Sequence, residues 1–197
     1  LPFGTVNFGK EIMATRKGKV ILLEDVLKKT IEKASDEIKK RKTKGDAEII
    51  GVGAIKYAFL KNEPIKDINF SWETSLNFEG DSGPYIQYSY ARASSILKKS
   101  KVKNKKALLN EINESEINLA KKILDFSEKV FEASEKLNPS IIANYSFSLA
   151  QAFNEFYHNC KVIGDKNEGR RIKLIESFRN TIKNSLYLLG IEVMENM

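Results

Sequence analysis

One short segment, Gly80–Arg92, concentrates side chains that can stack on bases and bind phosphates. It reads GDSGPYIQYSYAR, so a glycine-containing turn leads directly into three tyrosines and an arginine. Tyr85, Tyr88 and Arg92 are spaced i, i+3, i+7 and therefore share one face of a helix beginning near Pro84. Such a face can stack on unpaired bases. The same spacing is also typical of a packed core with Arg92 in an ion pair, and the pattern alone leaves both alternatives open.

A second candidate site is the basic stretch IMATRKGK, residues 12–19. A glycine-containing basic loop can wrap around phosphates because its amides and cationic side chains neutralise negative charge. Basic loops are also common as plain exposed turns, which is the alternative here.

The chain holds one histidine, His158, and one cysteine, Cys160. A site with two histidine ligands and an internal disulfide are therefore excluded, and we expect no metal. Two residues apart on a helix, His158 and Cys160 point in different directions, so we do not expect a catalytic pair. A single cysteine fits a reducing compartment, and we expect a cytoplasmic protein.

The net charge of +7 over 197 residues is concentrated in four clusters. Such clusters are typical of proteins that bind polyanions, although solvated lysine-rich loops give the same pattern. They are Arg16–Lys19, Lys39–Lys44, Lys98–Lys106 and Arg170–Lys173. No apolar run is long enough to span a bilayer, so no membrane partner is expected.

Helical periodicity dominates the chain and predicts a mainly α fold. Helices are expected from the VILLEDVL region to about Lys42, over AEIIGVGAIKYAFL after an Asp46 N-cap, and over Pro84–Lys99. Three more follow, from a capping box at Asn113 and Glu116 to Asn138, from Ser140 to Cys160, and from Arg170 to Leu189. DINFSW reads as an extended piece with alternating apolar residues.

The apolar positions predict which face of each late helix is buried. For the helix after Asn113 the expected inward stripe is Ile117, Ala120, Leu124, Phe131 and Leu137. For the next helix it is Ile142, Tyr145, Leu149, Phe153, Phe156 and Tyr157, and for the last it is Ile175, Phe178, Ile182, Leu186 and Leu189. Amphipathic helices in sequence describe a helical bundle. The sequence pattern changes near residue 78 from a mixture of helix and strand patterns to helix patterns alone. We therefore place the domain boundary there, giving domains 1–78 and 79–197.

Taken together, five ordered motifs resemble arginyl-tRNA synthetase, a class I aminoacyl-tRNA synthetase. FGTVNFGKEIMATRKGKVILLEDVL is similar to its nucleotide-loop region, where an MSTRKG-type sequence replaces KMSKS. IGVGAIKYAFL, FSWETSLNFEGDSGPYIQYSYAR, AQAFNEFYHNCKV and LGIEVMENM follow in the family's order. The resemblance covers essentially the whole chain and is weakest across residues 97–113.

The resemblance implies an ATP-dependent, AMP-forming arginine–tRNA ligase as the full-length protein. Its substrates are arginine, ATP with Mg²⁺, and tRNA(Arg). Residues 13–17, which are Met13, Ala14, Thr15, Arg16 and Lys17, match the loop over the ATP phosphates, and Arg16 and Lys17 are the expected catalytic cations. Ile12 and Ala14 depart from the family's usual lysine and serine, so this loop lacks one charge and one hydroxyl.

The other class I signature, HIGH, needs two histidines, and none lies before His158. The half of the active site that carries it is therefore expected upstream of Leu1. Because the chain does not begin with Met, a trimmed fragment is expected. We predict that these 197 residues alone are inactive and hold no bound ATP.

The helical part resembles the family's anticodon-binding domain, which implies tRNA contacts. The candidates are Tyr85, Tyr88, Arg92, Phe153, Tyr157 and Met197, although Phe153 also fits a core position. Two other readings stay open, a stand-alone tRNA-binding or adaptor module without catalysis and a helical scaffold without RNA. The oligomeric state is open, with a monomer as the working expectation.

Overall fold

The protein is described from a computed structural model that covers residues 3–8, 22–100 and 112–197. Within these ranges it is mainly α-helical, as predicted, with two short strands. In chain order the elements are β1 (Val6–Phe8), α1 (Leu23–Arg41), α2 (Ala47–Leu60), β2 (Ile68–Phe70), α3 (Trp72–Ser75), α4 (Gly83–Lys99), α5 (Glu114–Leu124), α6 (Phe126–Glu135), α7 (Ser140–Asn159) and α8 (Glu168–Leu188). No helix in the described part of the chain is long and apolar enough to cross a bilayer.

The two strands pair in parallel, with Val6 opposite Ile68 and Phe8 opposite Phe70. The predicted extended piece is therefore confirmed as far as Phe70. Trp72 was placed in it wrongly, because it begins α3 instead. The reason is local, since the Ser71 side chain accepts a hydrogen bond from the Thr74 N–H and so caps a helix at this point.

Side-chain caps fix where several helices begin. Asp46 Oδ1 accepts hydrogen bonds from the Glu48 and Ile49 N–H groups at 2.8 and 3.2 Å, which confirms the predicted N-cap of α2. The capping box of Asn113 and Glu116 is also confirmed at the start of α5. Each cap satisfies N–H groups that the first helical turn leaves without partners.

Helices α2 and α4 approach so closely that glycine is required where they touch. A Cβ atom on Gly83 would lie 2.7 Å from the Gly53 carbonyl oxygen, and one on Gly51 would lie 3.2 Å from the Ile31 backbone. Ile31 belongs to α1, so Gly51 marks close packing of α2 on α1, and Gly53 marks close packing of α2 on α4.

The main core lies between α4, α5, α7 and α8 and also takes in Tyr57 of α2. All five inward positions predicted for the last helix are buried. On α7 the predicted inward residues are buried except Tyr157, which is 40% exposed. Because Tyr57 belongs to this core, residues before and after 78 pack together, and the domain boundary there stays a prediction.

The stripe predicted after Asn113 was wrong in two respects. The helix breaks at Asp125 into α5 and α6, and four of the five proposed inward residues face solvent, with Leu124 79% and Phe131 68% exposed. Ile117 and Leu137 are exposed as well. The buried face is the neighbouring one, formed by Leu119, Ile123, Phe126, Val130 and Ala133. That set alternates by four and three residues and forms the continuous seam on the core.

The segment after α8 turns back across α2 and α4. Gly190 has a φ of 65°, and the Ile191 N–H donates to the Leu186 carbonyl at 2.9 Å, which closes the helix. The buried Gln87 side chain then donates to the Glu192 carbonyl at 2.8 Å and to the Ile49 carbonyl at 3.2 Å. These bonds bring the last residues of the chain beside α4.

Candidate nucleic-acid interface

An open cleft of about 340 Å³ lies where α4, the end of α7 and the last residues of the chain meet. Two tyrosines, Tyr88 and Tyr157, line it together with Arg92 and Met197. Two lysines, Lys44 and Lys99, also lie on its wall, together with polar groups of the final segment. The cleft therefore combines aromatic faces with positive charge.

Arg92 lies between two aromatic rings at the centre of this cleft. Its guanidinium carbon is 4.7 Å from the centroid of the Tyr88 ring and 5.1 Å from that of Tyr157. Tyr88 precedes it by one helical turn, whereas Tyr157 comes from α7. Cation–π contacts at these distances hold the guanidinium plane in place while leaving its charge intact.

The edge of the Arg92 side chain is held by a neutral group. Arg92 Nη1 donates to Asn154 Oδ1 at 2.6 Å. Asn154 Nδ2 in turn donates to the Tyr85 hydroxyl at 2.8 Å and to Ser89 Oγ at 3.0 Å. In the described ranges no carboxylate lies within ion-pair distance of Arg92, so the ion pair considered from the sequence is not formed.

The acidic residue in the cleft, Glu195, forms an ion pair with Lys98. Its carboxylate pairs with Lys98 Nζ at 2.6 Å. The hydrogen bond and charge of Lys98 hold the pKa of Glu195 below its ordinary value, so it stays ionised. The cleft thus keeps the positive charges of Arg92, Lys44 and Lys99 with one acid already paired.

Four of the six predicted RNA-contacting residues meet in this cleft, namely Tyr88, Arg92, Tyr157 and Met197. Tyr85 lies beside them, half-buried, with its ring centroid 5.5 Å from that of Phe147. Phe153 lies elsewhere: it is fully buried and stacked on Phe178 with centroids 4.0 Å apart. Phe153 therefore does not line the cleft, because a ring without exposed surface can only support the cleft from beneath.

Sequence reasoning missed Asn154, and it included Lys44 and Lys99 only as members of the basic clusters Lys39–Lys44 and Lys98–Lys106. Asn154 precedes Tyr157 by three residues, so helical spacing could have placed both on one face. Nothing in the local sequence indicates that this face meets α4. Lys44 follows α1 and reaches the cleft only because α1 and α2 pack as they do.

In the basic cluster at Arg170–Lys173, the two arginines make ion pairs inside the bundle. Arg170 and Arg171 pair with the buried carboxylate of Glu116 at 3.1 and 3.3 Å. Burial raises the pKa of Glu116, but hydrogen bonds from Arg171, the Asn113 N–H and Arg170 outweigh it, and the net pKa is lowered. The two arginines therefore join α8 to the start of α5.

The predicted ATP-phosphate loop, residues 13–17, lies outside the described residues, as does most of the lysine run at 98–106. Among the described side chains, no group of three or more histidine, cysteine, aspartate or glutamate residues is placed to hold a metal ion.

A helical bundle whose surface cleft combines tyrosine rings, an arginine plane and lysines is typical of modules that bind single-stranded nucleic acid. Comparison with known proteins defines this module further. The chain belongs to the DALR anticodon binding domain family, which matches residues 86–197. The catalytic domain family of class I tRNA synthetases (R) matches residues 2–72.

Along its whole length the chain is similar to arginine–tRNA ligases, which confirms the resemblance read from the motifs. It is 40% identical over 208 residues to the Clostridium perfringens ligase, a match covering all of this chain and 37% of that protein. The Halothermothrix orenii ligase is also 40% identical, with 36% of its length covered. The chain thus spans a little over a third of the length of these curated relatives.

Solved structures give the same result. Thermus thermophilus arginyl-tRNA synthetase superposes with a TM-score of 0.88 and 32% identity, covering 99% of this chain and 35% of that one. Arginyl-tRNA synthetase from Plasmodium falciparum gives a TM-score of 0.83 at 30% identity, with 99% and 34% covered.

Proposed function

We propose that this chain binds the anticodon arm of tRNA(Arg), as the anticodon-binding part of an arginine–tRNA ligase, with the end of the catalytic domain before it. The observation that carries the proposal is the cleft in which Arg92 lies between Tyr88 and Tyr157. This arrangement supplies the stacking surfaces and the charge that an unpaired base and its phosphate require.

Each part of the cleft has a separate role in this proposal. The exposed ring of Tyr157 and the half-buried ring of Tyr88 offer faces for an anticodon base. Arg92 contributes a planar cation that binds phosphate or a base carbonyl. Lys44 and Lys99 attract the flanking phosphates, and Met197 gives an apolar wall.

The full-length ligase reaction is also part of the proposal. Arginine and ATP give arginyl-adenylate and pyrophosphate, and the arginyl group then passes to the 3′-terminal adenosine of tRNA(Arg). Arg16 and Lys17 are proposed to neutralise charge on the departing pyrophosphate, with Mg²⁺ accompanying ATP. This reaction fits a cytoplasmic translation enzyme.

Replacing Tyr88 by alanine tests the anticodon proposal. Loss of a stacking surface lowers affinity for tRNA(Arg) by about 1–3 kcal/mol, measured by titrating labelled tRNA at fixed salt. Tyr187→Ala is the matched control, because Tyr187 is a highly exposed tyrosine on α8 that does not line the cleft.

Two results would contradict the proposal. One is a wild-type chain that does not bind tRNA even at low salt, which would favour a scaffold without RNA. The other is a Tyr88→Ala variant that binds like wild type but melts at a lower temperature, which would make Tyr88 a core residue only.

A further inference from the structure

Asn154 is a half-buried residue on α7 that faces α4 beneath the cleft. It bonds to three residues of α4 at once, accepting from Arg92 and donating to Tyr85 and Ser89. No other side chain in the described ranges bonds to Arg92 in this way. Besides the two rings, this amide is therefore the group that fixes the position of the guanidinium.

The chemistry of the partners fixes the orientation of this amide. A guanidinium has only donors, so it must face the carbonyl oxygen of Asn154. Ser89 Oγ already donates to the Tyr85 backbone carbonyl at 2.9 Å, so it offers a lone pair to the amide nitrogen. The amide oxygen then accepts from Arg92, and the amide nitrogen donates to the Tyr85 and Ser89 oxygens.

The neutrality of the partner has an electrostatic consequence. An arginine held at the same place by aspartate would have its charge cancelled, because a close carboxylate offsets it. Asparagine has nearly the same shape and accepts the same hydrogen bond, but it carries no charge. The Arg92 guanidinium is therefore fixed in position and still carries its full positive charge.

We propose that Asn154 is a positioning residue that holds Arg92 between the two rings while preserving its charge for an RNA phosphate. This inference rests on the proposed tRNA binding and names the group that makes Arg92 available to it. Asn154 acts through Arg92 and need not touch RNA itself.

Asn154→Asp tests the proposal, because it keeps the shape and adds one negative charge. Binding of tRNA(Arg) is titrated over a salt series, together with thermal melting. We expect a folded protein, an affinity about three- to tenfold lower, and a slope of log K against log salt smaller by about 0.7–0.9, which corresponds to one lost phosphate contact. A purely structural role for Asn154 would leave this slope unchanged.

Asn144→Asp is the charge-matched control. Asn144 is exposed on the same helix, ten residues from Asn154, or about 15 Å along the axis. The Asn144→Asp substitution adds the same charge away from Arg92, so the slope of log K against log salt for this variant should equal that of wild type. In an Arg92→Ala background, Asn154→Asp should no longer change the slope, because the contact is already lost.

A folded Asn154→Asp protein with the wild-type slope overturns the inference, and so does a slope change that persists without Arg92. If Asn154→Asp does not melt cooperatively, Asn154→Ser replaces it. The shorter serine side chain does not reach Arg92, so affinity should fall, and this loss should disappear in the Arg92→Ala background. Unchanged affinity, or a loss that persists without Arg92, overturns the inference. A wild-type chain without salt-dependent tRNA binding instead contradicts the proposed function itself.

Discussion

At the level of single residues, the cleft depends on the geometry of Arg92. Its guanidinium contacts two rings and one amide, and a positive charge held by neutral groups is available to a polyanion. A planar cation can stack and bind phosphate at the same time, whereas an ammonium group acts as a point charge.

Arg92→Lys should therefore weaken tRNA binding although the charge is kept. We expect a loss of about 1–3 kcal/mol, because lysine cannot stack between Tyr88 and Tyr157 or bond to Asn154 in the same plane. The measurement is a tRNA titration with melting as a check on folding.

Arg41→Lys is the control for this change. The Arg41 guanidinium also lies 4.7 Å from a ring centroid, that of Phe78, but outside the cleft. Equal losses of affinity for the two variants would mean that any arginine on this surface contributes, and would argue against a special role for Arg92.

At the level of elements, Glu116 joins the start of α5 to α8. Its buried carboxylate accepts hydrogen bonds from Arg170 and Arg171 and from the Asn113 N–H. Two arginines around one buried acid form a network that is costly to break, because removal of the acid takes away the carboxylate that both arginines share.

Glu116→Gln should lower the free energy of unfolding at neutral pH by about 3 kcal/mol. The folded-state pKa of Glu116 is lowered, so its stabilising contribution is present above the ordinary glutamate pKa and is lost as pH falls through the folded value. The difference between wild type and variant in urea unfolding should therefore be largest near pH 7 and shrink in acid.

Glu132→Gln provides the control. Glu132 pairs with Lys129 and Lys136 on the surface of α6, and those lysines lower its pKa to about 2. An exposed pair contributes little to stability, because solvent screens it. A loss at Glu116 no larger than at Glu132, or one independent of pH, would show that the buried network does not stabilise the bundle.

At the level of the whole molecule, the chain combines a helical bundle with a short piece of a parallel sheet. The described residues contribute two parallel strands to this piece, whereas parallel sheets are normally larger and covered on both faces. The match of residues 2–72 to a class I catalytic domain accounts for this piece. We therefore expect this polypeptide to bind tRNA without catalysing the ligase reaction.

The 197-residue chain should bind tRNA(Arg) yet give no arginine-dependent pyrophosphate exchange. A HIGH signature needs two histidines, and this sequence has only His158. Exchange of labelled pyrophosphate into ATP measures the activity, with a full-length arginine–tRNA ligase as the positive control. Exchange above background by the purified chain would contradict the expectation.

Much of the fold could be predicted from local sequence, because helix ends and family motifs depend on residues that are close together in the chain. Asp46, Asn113 and Glu116 marked helix starts correctly, since a capping side chain bonds to N–H groups only two or three residues away. The shared face of Tyr88 and Arg92 also followed from helical spacing.

Tertiary structure alone decided which partners distant residues meet. Two neighbouring faces of α5 and α6 are both apolar, and only packing on α7 selected the one that contains Leu119. Likewise, Arg170 pairs with the buried Glu116, whereas Arg92 bonds to the neutral Asn154. Local sequence predicts only that both arginines lie on helices. The sequence by itself determined the helices and their family; the charge available in the cleft depends on contacts between residues more than 60 positions apart, which spacing along one helix cannot specify.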